Sequence, residues 1–363
     1  MEMYDEFPHS LMTDFRDEFK LLLEKSFVSG KGTDEEIYKG MMSFLNKVGP
    51  NIPERLFRYR KIDEKGYTLK AFKNGTVSVC KPKCFSDKYD SLIFVDTEKQ
   101  ISEMREASKL ALRKVLSDIK KHNPRLRAEK VSQICYYMEQ GMSDNDIIDK
   151  MLSETCSNFF IDVEKELKER ESRFRDSEKT ARIACFTESV KSKFMWDTYA
   201  GGYRGFALEY NLREFFIRNF NKGIPAYVFP VIYTDERPDL TLDESNYYTF
   251  QKMEGKGWLD ILEPIRPFLD FNLLSPHKPY LYKDKVDYGH EREWRILYYN
   301  EESTEDYMEI SDQGCLKAIY YGPDIKAEDY EILHQIAKNK GIDEYKVSID
   351  NNSRKYSLMV STI

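Results

Sequence analysis

Glycine is scarce in this chain, at 17 of 363 residues, and proline and cysteine are scarcer, at 13 and 6. The glycines form no Gly-x-Gly-x-x-Gly run, which excludes the phosphate-gripping turn of a Rossmann dehydrogenase. The six cysteines (Cys80, Cys84, Cys135, Cys156, Cys185 and Cys315) are irregularly spaced in a long chain. They do not make a disulfide framework and read as reduced thiols, so a cytoplasmic location is expected. Cys80-x-x-x-Cys84 lacks a second ligand pair, and the five histidines are scattered, so no metal centre is expected. No apolar run approaches the roughly 18 residues of a membrane-spanning helix. Met1 to Ser10 holds three acids and no Lys or Arg, so no secretory leader is expected there. A net positive charge is also missing: 63 acids against 56 bases leave −7. That argues against a sequence-independent nucleic-acid binder, though not against a local basic patch.

What is present is aromatic. Tyr and Phe number 25 and 22, and 41% of residues are hydrophobic, enough for a real core. The length favours two domains, or one with a large insertion. The chain to about residue 54 reads as a small helical preface. Phe15, Phe19, Leu21, Leu22, Leu23 and Phe27 fall in helical register, and Ile37, Met41, Phe44 and Leu45 form the next stripe. Thr33 is a fair N-cap for that second helix. From Arg55 the texture is strand-like. Leu56-Phe57-Arg58-Tyr59-Arg60 alternates, Tyr67–Lys70 and Thr76–Cys80 read as short strands, and Asn74-Gly75 reads as a hairpin turn.

Residues 98–180 read as a helical insertion. Ala107–Lys121, a helix opened by Ser143-Asp144, and a charged helix over Phe159–Arg175 are its main elements. Between Lys109 and Lys130 eight basic residues face two acids, a stretch suited to nucleic-acid phosphates but equally to a solvated helix face. Strands return at Arg182–Thr187, Gly205–Tyr210, Ala226–Tyr233, Glu293–Tyr299, Ala318–Tyr321 and Tyr345–Ile349. Short helices are expected at Phe194–Ala200, closed by Gly201-Gly202, and at Ala327–Lys338. The expected organisation is a preface over 1–54, an α+β core over 55–97 and 181–363, and the insertion over 98–180.

Four islands concentrate aromatic and charged residues: LFRYR at 56–60, CFSDKYD at 84–90, residues 185–210, and HEREWRI at 290–296. Their order and wording resemble the DUF2971 family of bacterial proteins. There a Tyr–basic–Tyr–Arg strand, a Phe-Asn-Asp-Pro-Phe loop, Cys-Phe-Ser, Met-Trp-x-x-Tyr, Gly-Phe-x-x-Glu-Tyr/Phe and Glu-x-Glu-Trp-Arg follow one another. Met195-Trp196-x-x-Tyr199 with Glu291-x-Glu293-Trp294-Arg295 is the specific combination, and the resemblance covers roughly residues 55–350. Two departures stand out. The loop reads Phe85-Ser86-Asp87-Lys88-Tyr89-Asp90, without Asn or Pro, and Tyr288 stands where the family commonly has Trp. The motif order also looks like the ADP-ribosyltransferase fold. That resemblance implies a split, mostly antiparallel β core with NAD as substrate.

The residues can be read against that chemistry. Cleaving the nicotinamide–ribose bond passes through an oxocarbenium-like state, which a carboxylate stabilises. On a strand at 290–296, Glu291, Glu293 and Arg295 would share one face, and the two acids would need a cation opposite. The resemblance makes Glu293 the catalytic carboxylate and Glu291 the group that orients or deprotonates the acceptor. Arg60, with Arg58 beside it, would hold the diphosphate bidentately. Thr187 would supply a mid-sheet hydroxyl, and Trp196 and Tyr199, three apart on a helix, would stack on a ring. Asp87, on a loop, and Arg204 are the candidates for substrate contact. The acceptor would be a protein or nucleic acid, as for a toxin or an anti-phage defence effector. Two other readings use the same residues. One is a metal-dependent nuclease with Asp87, Glu209, Glu291 and Glu293 as Mg²⁺ ligands. The other is a non-catalytic module whose aromatics form a recognition cleft.

Overall fold

The computed structural model describes residues 14–25, 27–28, 34–121, 128–155, 161, 164–165, 181–241, 271–272, 274, 277–300 and 302–363. Along the chain run α1 (Phe15–Lys25), β1 (Phe27–Val28), α2 (Asp34–Val48), β2 (Leu56–Arg60), α3 (Tyr67–Asn74) and β3 (Thr76–Cys80). Then come α4 (Thr97–Lys120), α5 (Ala128–Glu139), α6 (Asp144–Thr155), β4 (Arg182–Thr187), α7 (Lys193–Tyr199), β5 (Phe206–Tyr210) and α8 (Leu212–Asn221). The remainder is β6 (Ala226–Pro230), β7 (Ile232–Thr234), β8 (Phe271–Asn272), β9 (Tyr282–Asp284), α9 (Lys285–Tyr288), β10 (Glu293–Tyr298), β11 (Tyr307–Ser311), β12 (Leu316–Tyr321), α10 (Ala327–Lys340), β13 (Asp343–Ile349) and β14 (Leu358–Thr362).

Ten strands make one sheet in the order β11-β3-β4-β2-β5-β12-β13-β14, with β10 on the free edge of β4 and β6 beyond it. Every pairing in it is antiparallel except β12–β13, which α10 connects in parallel. The α+β reading and the mostly antiparallel sheet therefore hold. One edge of β4 is shared by two strands: Ile183 pairs with Cys80 of β3, and Thr187 with Phe57 of β2. β2 and β3 thus diverge from β4 like a fork.

Alternation sorts the side chains. On β2, Leu56 joins the large core, while Phe57 and Tyr59 join a smaller one with Trp196, Ala207, Tyr320 and Val347. Phe19 and Leu23 of α1 and Phe44, Leu45 and Val48 of α2 also belong to the large core. Leu112, Val115 and Leu116 of α4 pack with Ile134, Ile147, Ile148 and Met151 into a separate apolar cluster.

Three expectations are corrected. Tyr67–Lys70 is helical, because Asp63 accepts the amides of Tyr67 and Thr68 and starts a turn that Ala71 and Phe72 bury. Gly75 is therefore no hairpin residue. It ends α3 at φ 68°, a left-handed C-cap that glycine adopts without strain. β10 begins at Glu293, so Glu291 lies in the preceding 3₁₀ turn rather than on the strand. Thr33 and most of Phe159–Arg175 lie outside the described residues. Strands β11 and β14, for which no strand is expected from the sequence, complete the two ends of the sheet order.

Candidate functional site

The site is built at the fork. β4 and β10 pair so that Glu293 faces Thr187 and Arg295 faces Cys185. α7 is set over β2 by its cap, where the Ser192 hydroxyl accepts the Met195 amide. The chain after it returns tightly: a Cβ on Gly205 would lie 2.1 Å from the Arg60 carbonyl, so only glycine fits. A cavity of about 250 Å³ opens between these elements and the 85–90 loop.

One wall carries carboxylates. Lys283 of β9 bridges the acids, with its Nζ 2.7 Å from Glu291 Oε2 and 3.2 Å from Glu293 Oε2. Arg295 donates to Glu293 Oε1 at 2.7 Å and bidentately to Asp90 at 3.0 and 2.5 Å. The Tyr199 hydroxyl donates to Glu291 Oε1 at 2.6 Å. Glu291, Glu293, Asp90 and Arg295 are all buried. Burial alone would raise the Glu293 pKa. Arg295 and Lys283 outweigh it and hold the carboxyl at about 2. Burial would likewise neutralise Lys283, but Glu293 and Glu291 keep it more basic than usual. Burial and the Glu293 charge push the Cys185 thiol up, so it stays protonated.

The facing wall carries Arg58 and Arg60. Arg58 lies over the Phe186 ring, and its Nη2 donates to the Ser78 carbonyl at 2.6 Å, spanning the fork. Burial first, then the neighbouring Arg60, lowers the Arg58 guanidinium to about 9. Burial lowers Arg60 too. Among the described residues neither has a carboxylate at ion-pair distance, whereas Arg295 has two.

A second layer backs the acids. The Thr187 hydroxyl donates to the Glu291 carbonyl at 2.6 Å. Arg16 of α1 donates to the carbonyls of Glu293 and Val231, both at 3.1 Å, and to Glu188 at 2.6 Å. Arg292, between the two glutamates, is left-handed at φ 49° and is held by Glu188 and Asp14.

Of the residues singled out from sequence, Glu291, Glu293, Arg58, Arg60, Tyr199 and Asp87 line this one cavity. Thr187 stands behind it. Trp196 is fully buried, with Nε1 on the Val190 carbonyl and its ring edge-on to Tyr59, so it packs the small core. Arg204 is exposed and lines no wall of the cavity. Glu209 sits apart, on Arg55 and Tyr320. Among the described residues no group of three His, Cys, Asp or Glu is placed to hold a metal ion. In the basic stretch, Lys109 pairs with Glu106 and Lys120 with Asp144 on the surface, while Arg125 and Arg127 lie outside the described residues. Sequence reasoning missed Lys283, Asp90 and Arg16. The need for a cation against two adjacent glutamates was the available signal, but it names no position. A groove of about 720 Å³ adjoins the cavity and shares Asp87, Lys283 and Tyr288 with it.

Residues 195–296 match the model of a family described as a protein of unknown function, DUF2971. The match runs from the Met-Trp motif to just past the Glu-x-Glu-Trp-Arg motif and bears out the resemblance read from those motifs. No curated protein and no solved structure matches the chain.

Proposed function

With the DUF2971 match as premise, we propose that the cleft binds NAD and transfers its ADP-ribosyl group to a macromolecular acceptor. The observation that carries this reading is the asymmetry of the cavity. Arg58 and Arg60, partly buried and, among the described residues, without a carboxylate at ion-pair distance, face Glu291 and Glu293 across about 250 Å³. A diphosphate supplies the anion that Arg58 and Arg60 lack. The nicotinamide ribose then lies toward Glu293, whose charge stabilises the cation left when the C1′–nitrogen bond breaks and nicotinamide departs with the electron pair. Glu291, oriented by Tyr199, takes the proton of the acceptor as it attacks C1′. Tyr199, Tyr288 and Phe85 offer the rings beside the cavity, in place of Trp196. Thr187 acts through the Glu291 backbone. The ADP-ribosyltransferase-like architecture belongs to the same proposal, and the forked edge of β4 supports it.

The test is NAD labelled in either half, incubated with the protein and a cell lysate, RNA or DNA. Nicotinamide should be released and the adenylate label should move to a macromolecule. Glu293→Gln should cost on the order of 100-fold or more in kcat while remaining folded by circular dichroism. Magnesium-dependent cutting of nucleic acid without NAD turnover would replace this reading with the nuclease. Loss of neither binding nor function in Glu293→Gln and Arg60→Ala would leave a recognition module.

A further inference from the structure

The turn that presents both glutamates is held from behind by the N-terminal helix. Arg16 is buried, yet its polar contacts converge on that turn: Nη2 on the Glu293 carbonyl, Nε on the Val231 carbonyl and Nη1 on Glu188. Glu188 passes the contact on, accepting from Arg292 Nε at 2.9 Å and Trp294 Nε1 at 2.8 Å. Asp14, just before α1, accepts from Arg292 Nη1 at 2.5 Å. Arg292 is the residue whose left-handed backbone sets the angle between Glu291 and Glu293. That conformation is unfavourable for a side-chain-bearing residue and persists where its surroundings over-determine it. The two peptide carbonyls that fix the glutamates are therefore each gripped by a side chain, Glu291 by Thr187 and Glu293 by Arg16. The apolar anchoring of α1 is separate, through Phe19 and Leu23.

We propose that Arg16 is a positioning residue: with Glu188 and Arg292 it aims Glu291 and Glu293 into the cleft, so the helical preface completes the site. The catalytic arm of the test rests on the NAD reading. In Arg16→Ala, kcat for NAD should fall about 10- to 100-fold, because a displacement near 1 Å costs that much, while KM stays within about twofold, since the arginine wall is untouched. Added guanidinium at a non-denaturing concentration should restore part of the rate, and Arg16→Lys should not, lacking the planar fork. Arg292→Gly keeps the left-handed turn but drops both ion pairs, and should lose kcat in the same direction. The second arm needs no turnover. Hydrogen exchange in Arg16→Ala should quicken about 10-fold or more at residues 289–294 and at the Val231 amide, which donates to the Glu293 carbonyl at 3.0 Å, with β12 and β13 unchanged. Unchanged exchange at those amides, or equal quickening everywhere, would overturn the proposal. A wild-type protein inert toward NAD would overturn the reaction instead, and the exchange arm would still decide the role of Arg16.

Discussion

The two walls of the cleft are built on opposite electrostatic plans. On the carboxylate wall every charge has a counter-charge: Glu291 and Glu293 share Lys283, and Arg295 is shared by Glu293 and Asp90. On the facing wall Arg58 and Arg60 repel each other in a partly buried setting, and Arg58 rests on a backbone carbonyl and a ring. A compensated wall is finished without a ligand. An uncompensated one is finished only when an anion arrives, so the difference points to the side on which a ligand's own charge is supplied. It also predicts opposite responses to losing a cation. Deletion on the first wall strands buried charge, and deletion on the second relieves it.

The largest effect should come from Arg295→Met. It leaves Asp90 without its cation and Glu293 with Lys283 alone, both in the interior. The expected loss is about 3–5 kcal/mol in urea unfolding, the usual consequence of removing one member of a buried ion pair. Arg55→Met is the comparison. It also removes the cation from a buried glutamate, Glu209, but Arg55 is half exposed and the Tyr320 hydroxyl remains on the carboxylate at 2.5 Å. There the loss should be about 1 kcal/mol or less. Equal losses in the two variants would show that burial of the cation, on which the contrast depends, is irrelevant.

Acid titration should give an intermediate effect, and its sign follows from Glu293. The pKa of that carboxyl drops from an ordinary 4.5 to about 2 because Arg295 and Lys283 overcome its burial. A depressed carboxyl stabilises the fold fully above pH 4.5 and loses that contribution as pH falls from 4.5 toward 2. The stability gap between wild type and Glu293→Gln should therefore be constant above about pH 5 and close through that window. A gap that widens on acidification would mean Glu293 is not held ionised by its neighbours.

These contrasts divide what the sequence exposes from what it hides. The alternation of Leu56 to Arg60 separates Phe57 and Tyr59 from Arg58 and Arg60, and the structure keeps that separation, because a period of two survives any sheet topology. The β4 and β10 strands are legible because each is short and rich in β-branched and aromatic residues. Tyr67–Lys70 misleads because its helix is started by Asp63, a side chain outside the window being read. Glu291 and Glu293 stand out as a pair, but a continuous strand that puts Arg292 on the opposite face misses the left-handed turn at Arg292, which Asp14 and Glu188 hold from far away in sequence. Asp90 and Arg16 reach the site from a loop and from the first helix, 205 residues from Arg295 and 277 from Glu293, and no local pattern marks such partners. Lys283 stands only eight and ten residues before its acids, but on β9, a short strand inside a loop-rich stretch. Trp196 shows the converse. Helical spacing put it beside Tyr199, yet the two part company, Trp196 into the small core and Tyr199 onto Glu291.

The smallest change in stability, and the one that tests the contrast most directly, belongs to Arg58→Met. The side chain keeps its length and its place over Phe186, while the partly buried charge beside Arg60 disappears. The hydrogen bond to Ser78 is lost, and that offsets part of the relief. The net expectation in urea is a protein unchanged or more stable by up to about 1 kcal/mol, since removing a partly buried charge relieves its desolvation and its repulsion from Arg60. The binding expectation runs the other way. Calorimetric titration with inorganic pyrophosphate should weaken about 10-fold or more, because one arm of a bidentate anion grip is gone. Both halves matter. A variant destabilised by more than about 2 kcal/mol would make Arg58 a strut across the fork of β2 and β3. A stable variant that binds pyrophosphate as wild type does would place the anion elsewhere. Only stability kept together with binding lost makes the second wall a site whose missing charge comes with its ligand.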